Sequence, residues 1–493
     1  MIWDYAGLGR ALLPEAALIA GALAVLGLDL TVWRRNRGET RAQAASGTGA
    51  VAVIAAFALA LWVGRAGPVL GGAFLLDGLA VAERLGVLGL TLLVIGIGTG
   101  ATPARQPPET VAIMLLAAVG FTLMGAAQNL LVAFLALELA SLSLYVLVGL
   151  EPSRPDAAEA AVKYFLFGGM AAAFLLFGFS LLYGATGAIG FPQLAAALAR
   201  GGMNPLLVVG LVMVVVAFGF KTAAAPFHLW APDVYQAAPA PAAALVASAS
   251  KLAAVVLFTR LLWPGLGPVA GSLVTARGGG AGWLPLVAVL AGASLLLGNL
   301  AALAQTNLRR LLAYSAIAHA GVLLLGLMAV GSAGVAPVYY YALTYGIATA
   351  GAFGVVAVIE RSGVGPGITD LAGLSRRSPL LAGCLLVFIL SLAGVPPLAG
   401  FFGKFIVFAA ALKAGGVAGP AGWLTVGAIL LSAVGLYYYL IVLKQAFVAA
   451  PPAGAGRIRP PLAAALTLLV AAGLVVALGM APSGLLAWVA GSH

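Results

Sequence analysis

Long apolar segments separated by short polar gaps run through almost the entire chain. A transmembrane helix needs about 20 mainly apolar residues, and about 14 segments meet that length. The pattern therefore predicts an all-α, polytopic membrane protein with about 14 transmembrane helices. The approximate segments are 11–33, 46–64, 78–100, 110–127, 129–150, 159–184, 204–235, 240–263, 282–304, 310–330, 335–359, 379–414, 421–446 and 460–488.

Two of these segments are too long for one straight span, and proline interrupts each of them. Segment 204–235 contains Lys221 and Pro226, and segment 379–414 contains Pro396, Pro397 and then Lys404. Proline removes a helix donor and clashes with the preceding turn, so two discontinuous helices are expected. Interrupted helices at corresponding positions in two halves favour an inverted-repeat transporter with its site near the membrane midplane. The competing interpretation is an ordinary proline kink, but each break also has a lysine close by.

Composition supports the membrane assignment. The chain is 63% hydrophobic and only 8% charged, whereas soluble domains carry about 25% charge. The net charge of +11 fits loop arginines and does not indicate nucleic acid. One cysteine, Cys384, lies in an apolar run, which excludes a disulfide framework or a thiolate cluster. The first helix is interpreted as a retained span because no small-residue cleavage site follows it.

Basic residues in the gaps predict an orientation. With the N-terminus outside, the cytoplasmic gaps hold 14 basic residues and the opposite side holds seven, which favours both ends facing outward. The cytoplasmic set is Arg34, Arg35, Arg37, Arg41, Arg105, Arg154, Arg309, Arg310, Arg361, Arg376, Arg377, Lys444, Arg457 and Arg459, and the opposite set is Arg10, Arg65, Arg84, Arg200, Arg260, Arg277 and Lys413.

The remaining four lysines, Lys163, Lys221, Lys251 and Lys404, lie within or at the edge of apolar segments. A charge at mid-bilayer costs roughly 2.5–3.5 kcal/mol, so such residues are functional candidates. A buried lysine can lose its proton, whereas arginine effectively cannot. A GC-rich genome would explain the preference for arginine over lysine but not these positions. We therefore interpret the lysines as a proton path.

Acidic and imidazole side chains extend this candidate path. Glu138 stands out as the only acidic residue deep inside an apolar run, and Lys221 is its expected partner. Lys163 follows Glu159 by four residues, so the two could also simply satisfy each other. His228 and His319 could shuttle protons because histidine titrates near physiological pH, although each could equally be a satisfied core residue. Asp233 is interpreted as a cap or loop contact, and Tyr437, Tyr438 and Tyr439 as packing or an interface belt.

Soluble-enzyme chemistry has little support. The Gly96–Ala101 stretch is similar to a dinucleotide fingerprint, but it ends an apolar helix and follows no strand. There is no P-loop, and no Cys/His spacing suits zinc, an iron–sulfur cluster or haem. We expect no cofactor or metal in this chain.

Several long motifs resemble the antiporter-like membrane subunits of respiratory complex I, and specifically its subunit N. They cover about residues 110–450 and are FKTAAAPFHLWAPDVYQ (220–236) with Pro239 and Pro241 after it, QTNLRRLLAYSAIAH (305–319), DLAGL (370–374) and GVPPLAGFFGKF (394–405). Ala237-Ala238 stands where that family commonly has a glycine before Ala-Pro, and Arg309-Arg310 replaces a basic pair that usually contains lysine.

The resemblance implies a 14-helix fold with two inverted five-helix repeats and protons moving along buried charges while quinone is reduced elsewhere. It implies that Glu138 and Lys221 interact, Lys163 modulates them, Lys251 links onward and Lys404 lies on the exit side. The expected partners are the other membrane subunits of complex I, and the expected location is a bacterial inner membrane. The NADH, flavin, iron–sulfur and quinone sites of the complex are expected in other chains. The expected units are an N-terminal three-helix segment over 1–109, repeats over 110–263 and 282–446, and a C-terminal helix over 447–493.

Other interpretations stay open. A subunit of a multisubunit Na⁺/H⁺ antiporter or of a membrane-bound hydrogenase shares the expected fold and buried lysines. His228 and the Val234-Tyr235-Gln236 motif favour the respiratory subunit. A scaffold whose polar residues only pack helices is disfavoured, because it would carry the cost of the buried lysines for no purpose.

Overall fold

A computed structural model describes residues 5–101, 106–151, 155–273 and 280–491 of the chain. Its α-helices are α1 (Tyr5–Ala11), α2 (Leu13–Leu28), α3 (Gly38–Val63), α4 (Gly78–Gly98), α5 (Pro107–Ala126), α6 (Leu130–Val148), α7 (Pro155–Thr186), α8 (Phe191–Gly201), α9 (Pro205–Thr222), α10 (Trp230–Ala237), α11 (Ala240–Ala247), α12 (Ala249–Arg260), α13 (Trp283–Leu303), α14 (Leu308–Ala333), α15 (Ala336–Arg361), α16 (Leu374–Arg377), α17 (Pro379–Ala393), α18 (Ala399–Gly415), α19 (Pro420–Phe447), α20 (Leu462–Met480) and α21 (Pro482–Ala490). Short π- and 3₁₀-helical turns occupy Asp29–Trp33, Leu261–Gly265, Gly267–Val269 and Ile368–Leu371.

The predicted membrane architecture is confirmed. Among the described residues, 13 helices are long and apolar enough to cross a membrane. The predicted segment 379–414 is instead divided between α17, which is shorter, and α18. Each of the 14 predicted segments thus corresponds to a helix or to a pair of consecutive shorter helices.

Both expected breaks are present, and each begins at a left-handed residue. Helix α9 ends at Thr222, and Ala223 follows with φ of 57°. Helix α17 ends at Ala393, and Gly394 follows with φ of 88°. Glycine adopts this conformation freely, whereas at Ala223 the left-handed conformation costs roughly 1–2 kcal/mol.

Side chains from neighbouring helices satisfy the backbone of the first break. The Ala225 N–H donates to Ser294 Oγ on α13 at 2.8 Å, and the Trp230 indole donates to the Phe220 carbonyl at 3.1 Å. Irregular backbone at membrane depth is tolerated where protein satisfies it in this way.

Three details were not anticipated from the sequence. The last segment divides at Ala481 into α20 and α21, because Pro482 begins a new helix there. Segment 240–263 is irregular at Ser248, where φ and ψ are −114° and −84°. A hairpin of β1 (Gly67–Val69) and β2 (Phe74–Leu76) fills the gap before α4, with Gly67 opposite Leu76.

The most buried layer consists of α11, α12, α14 and α15, which are enclosed almost entirely by other helices. Helices α2, α3, α7, α19 and α20 surround this layer and expose much of their apolar surface. Exposed apolar area of this extent marks lipid or protein contact. Polar side chains away from that contact therefore lie in the central layer.

The predicted orientation stays a prediction. Arg105, Arg154 and Arg277 lie outside the described residues. Arg84 and Arg260, which the tally counts on the opposite side and its helix ends, are buried in α4 and α12 at 1% and 3% exposure.

Candidate functional site

The first part of the site joins α6 to the last turn of α9. Lys221 is buried, and its Nζ donates to Ser141 Oγ at 2.8 Å. Ser141 lies three residues after Glu138, on the same face of α6, and one cavity is lined by Glu138, Ser141, Tyr145 and Lys221. The charges of Glu138 and Lys221 act on each other, but no salt bridge joins them among the described residues. A serine therefore intervenes in the expected pair.

Glu138 is only half-buried and lies beside exposed leucines of α6. Glu138 is the acidic residue deep inside an apolar run of the sequence, but Glu15 and Glu83 are more buried in the structure, at 3% and 0% exposure. Both are near the starts of their helices in sequence, so the apolar pattern alone gives no sign that other helices enclose them.

Lys163 lies at the start of α7 and is held by two carboxylates. Its Nζ is 2.7 Å from Glu159 Oε1 and 2.8 Å from Asp233 Oδ2 on α10. Asp233 also accepts from Arg310 of α14 at 2.9 Å. Asp233 is therefore an ion-pair bridge between α7 and α14, and its interpretation as a cap is wrong.

We expect Asp233→Asn to leave the fold intact and to free the Lys163 amine. Each ion pair of Asp233 is partly exposed and adds little to stability. Removing Asp233 takes away the one ion-pair partner of Lys163 that, among the described residues, lies on another element. Labelling of Lys163 by an amine-specific reagent, read by mass spectrometry, should rise several-fold. Glu159→Gln, which removes the more exposed partner, is the matched control, and an equal rise in both variants would contradict the assignment.

Lys251 lies on α12, three residues after the irregular Ser248, and is 2% exposed. Its Nζ donates to the Ala316 carbonyl of α14 at 2.5 Å and lies 5.2 Å from the centre of the Tyr345 ring. Within the described parts of the chain, no carboxylate forms a salt bridge with it. A carbonyl and an aromatic face thus surround this amine.

His319 follows Ala316 on the next turn of α14 and is bonded on both ring nitrogens. Nδ1 lies 2.5 Å from the Tyr341 hydroxyl, and Nε2 lies 3.2 Å from the Tyr439 hydroxyl. Tyr439 also shares a hydrogen bond with Ser315. Of the two alternatives predicted for the tyrosine run, Tyr438 and Tyr439 fit packing because they are buried, whereas Tyr437 is exposed.

Lys404 reaches back across the second break. Its Nζ donates to the carbonyls of Leu392 and Ala393, the last residues of α17, at 3.1 and 3.0 Å. A cation is favoured at the C-terminus of a helix by the free carbonyls and the helix dipole. Lys404 lines the same cavity as His319, so the structure brings these two residues together.

His228 lies in the first break between α9 and α10 and is buried. Its Nδ1 has no hydrogen-bond partner among the described residues. No contact recorded for its ring joins it to the lysines, so its relay role stays a prediction.

We call Glu138, Lys221, Lys251, His319 and Lys404, with their hydroxyl partners, the central row; they lie on α6, α9, α12, α14 and α18. Amines, one imidazole and hydroxyls alternate along it, and each can accept and donate a proton. In the described portion of the chain, no group of three or more His, Cys, Asp or Glu residues could hold a metal ion. The arrangement suits proton exchange between neighbouring groups.

Comparison with known proteins identifies the class. Residues 127–432 match the family described as NADH:quinone oxidoreductase/Mrp antiporter, TM. The structure of respiratory complex I from Thermus thermophilus with bound aureothin contains a chain that is 34% identical, with a TM-score of 0.78, over 96% of this chain and 99% of that one. The Mrp complex from Dietzia sp. contains a chain with the same TM-score at 23% identity, over 96% of each chain, and this likeness shows the fold alone. The fold and the site thus define an antiporter-like membrane protein.

A curated relative narrows the family. NADH-quinone oxidoreductase subunit N 2 of Acidobacterium capsulatum is 46% identical over 98% of this chain and 99% of its own length. The chain belongs to the NADH-quinone oxidoreductase subunit N family. The resemblance seen in the sequence motifs is therefore confirmed, and the chain is a membrane subunit of the proton-translocating type.

Proposed function

We propose that this subunit moves protons through its central row of ionisable side chains while quinone is reduced elsewhere in complex I. Glu138 and Lys221 form the responsive pair, and Lys163 modulates them. The proton passes by way of Lys251 and His319 to Lys404 on the exit side. We include His228 as an additional candidate member of the path.

The observation that carries this proposal is the placement of Lys251, His319 and Lys404 around α14 in the buried layer. Lys251 bonds the Ala316 carbonyl, one turn from His319 on α14, and His319 shares a cavity with Lys404. Lysines at such depth are expensive unless they serve a purpose.

The Glu138–Lys221 pair supplies a means of control. At an effective dielectric of about 20, opposite charges attract by about 4 kcal/mol at 4 Å and by about half that at 8 Å. Movement of Glu138 toward or away from Lys221 therefore changes how firmly Lys221 holds its proton. The Ser141 hydroxyl, already bonded to Lys221, can continue to accept a hydrogen bond from the ammonium when Glu138 moves away.

The subunit assembles with the other membrane subunits of complex I, as the family assignment and the Thermus thermophilus structure support. The NADH, flavin, iron–sulfur and quinone sites lie in other chains of the complex. We place the protein in the bacterial inner membrane with both termini on the periplasmic side, on the basis of the basic residues in the gaps.

Glu138→Gln tests the responsive pair in the assembled complex. It keeps the side-chain shape but removes the charge that acts on Lys221, so proton pumping per quinone reduced should fall several-fold with assembly intact. Ser143→Ala is the control on the same helix, because among the described residues its hydroxyl bonds only the Leu139 carbonyl of α6. Normal proton-to-electron stoichiometry in the Glu138 variant would refute the proposed pair.

The alternative is a Na⁺/H⁺ antiporter or hydrogenase subunit, which shares the fold. The 46% identity to a subunit N favours the respiratory role. Neighbouring genes for the other proton-pumping subunits of complex I would support that role, and a cluster of small antiporter subunits would support its rival.

A further inference from the structure

A second group of buried charges lies outside the central row, where α2 and α4 begin and α12 ends. Glu15, Glu83, Arg84 and Arg260 are each no more than 3% exposed. Arg84 Nη2 lies 3.0 Å from Glu15 Oε1, and Arg260 pairs with Asp77, the N-cap residue of α4. We call these five residues the outer ionic cluster.

Glu83 is the unpaired member of the outer ionic cluster. Neither of its carboxyl oxygens has a hydrogen-bond partner among the described residues. Its side chain lies against Gly125 of α5, where an added Cβ would be 2.3 Å from Oε2. The charges that act on it come from Arg84, Glu15 and Arg260. Among the described residues, neither Arg84 nor Arg260 forms a hydrogen bond with Glu83, although the charges of both act on it.

The charge count of the cluster leaves room for one proton. Three carboxyl groups and two guanidinium groups sum to −1 when all are ionised. Arg84 and Arg260 each have one carboxylate partner already. An unpaired carboxylate in an apolar site is very costly and takes up a proton instead. Glu83 is therefore the group that holds it.

The cluster can also accommodate Glu83 after it loses the proton. Nε of Arg260 and the three side-chain nitrogens of Arg84 have no hydrogen-bond partner among the described residues. These donors are the groups that stabilise a carboxylate best. Small rotations of the two arginines would satisfy both the donors and the ionised Glu83, so both charge states are within reach.

Two elements connect the cluster to the central row. Helix α12 carries Lys251 near its start and Arg260 at its end, about 13 Å apart along the axis at 1.5 Å per residue. On α15, the Tyr339 hydroxyl donates to the Ala82 carbonyl beside Glu83 at 2.5 Å, and the Tyr345 ring faces Lys251. The residues of α12 between Lys251 and Arg260 are mostly apolar and buried, so transfer requires waters that enter transiently.

An apolar cover separates the cluster from the surface. Ala11, Val63, Leu76, Ala80 and Ala126 form a small cluster of their own, with the hairpin residues Val69 and Phe74 packed on it. Arg84 and residues of α1 and the hairpin line one cleft. The site is therefore closed to bulk water but only by a thin layer.

We propose that Glu83 is a further proton-exchanging residue of this subunit, which takes a proton from the Lys251 region and releases it on the side where α4 begins. The inference rests on the proposed proton path. In the uptake step Lys251 changes from ammonium to amine and the Glu83 carboxylate becomes a carboxylic acid. In the release step Glu83 gives the proton to water and Arg84 and Arg260 bond the carboxylate.

Infrared difference spectroscopy of the assembled complex tests whether Glu83 holds a proton. The wild-type spectrum should contain the carbonyl stretch of a protonated carboxyl that disappears in Glu83→Gln. It should persist in Glu39→Gln, which removes an exposed carboxylate of α3. Absence of a band assignable to Glu83 would overturn the proposal. A band that shifts when sodium replaces potassium would also overturn it, because a bound cation and not a proton would then occupy the site.

Pumping measurements test whether that proton is exchanged. Glu83→Gln keeps the neutral shape, so assembly should be normal while protons pumped per quinone reduced fall several-fold, and Glu83→Asp should restore much of the loss. Full pumping in Glu83→Gln would show a purely structural acid and reject the proposal. The two proposals can fail separately. Normal pumping in Glu138→Gln, together with a Glu83 band and poor pumping in Glu83→Gln, would reject the role of the Glu138–Lys221 pair and support that of Glu83.

Discussion

Lys404→Ala should reduce proton pumping by the assembled complex to near background. The ammonium of Lys404 bonds the last two carbonyls of α17 and lines the cavity that contains His319. Its removal takes away the exit-side amine and leaves those carbonyls without their charged donor. The measurement is proton pumping per quinone reduced in membrane vesicles, with subunit content checked by mass spectrometry.

Two further variants separate transport from structure. Lys404→Arg keeps a cation for the α17 carbonyls, but guanidinium effectively never gives up its proton, so assembly should recover and pumping should not. Lys413→Ala removes an exposed lysine from the same helix and should pump normally. Full pumping in Lys404→Arg would mean that Lys404 serves only to hold α17.

Gly400→Ala should give the largest loss of stability of any single methyl addition in the site. An added Cβ would lie 1.8 Å from the Ser391 carbonyl oxygen, and Gly400 N–H donates to Ser391 Oγ at 3.1 Å. Overpacking typically costs about 1–3 kcal/mol, and backbone atoms cannot move aside as a side chain can. The amount of subunit in the assembled complex and its thermal unfolding temperature should both fall.

Gly383→Ala is the matched control for this clash. Gly383 lies on α17, is exposed, and has nothing within 4 Å of an added Cβ. Alanine is favoured over glycine inside a helix by about 1 kcal/mol, so stability should hold or rise slightly. Equal losses in the two variants would mean that contact at the break does not determine stability.

Most of the fold could be predicted from the chain because the bilayer imposes a simple rule on it. Apolar length determines the spans and proline determines the breaks. The sequence pattern therefore predicts both discontinuous helices. The division at Ala481 was missed, since Pro482 falls near the end of a strongly apolar run and was included in the span. The irregular turn at Ser248 has no proline or glycine to indicate it.

The site was only partly predictable, because its contacts join residues that are far apart in sequence. Ser141 lies three residues after Glu138, but its bond to Lys221 spans 80 positions. Lys163 was matched to Glu159 by helical spacing, whereas its second partner, Asp233, lies 70 residues away. The tyrosine run gave no sign that Tyr439 turns inward to His319 while Tyr437 faces outward.

Lys404 has a mechanical consequence as well as a chemical one. Its backbone belongs to α18 and its head group is bonded to the end of α17, so one side chain links two helices across the break between them. When the head group loses its positive charge, its hydrogen bonds to α17 weaken and the two helices can move more freely relative to each other. We therefore expect protonation or deprotonation of Lys404 to be coupled to a movement of α17 relative to α18, which a neighbouring subunit could sense through contact.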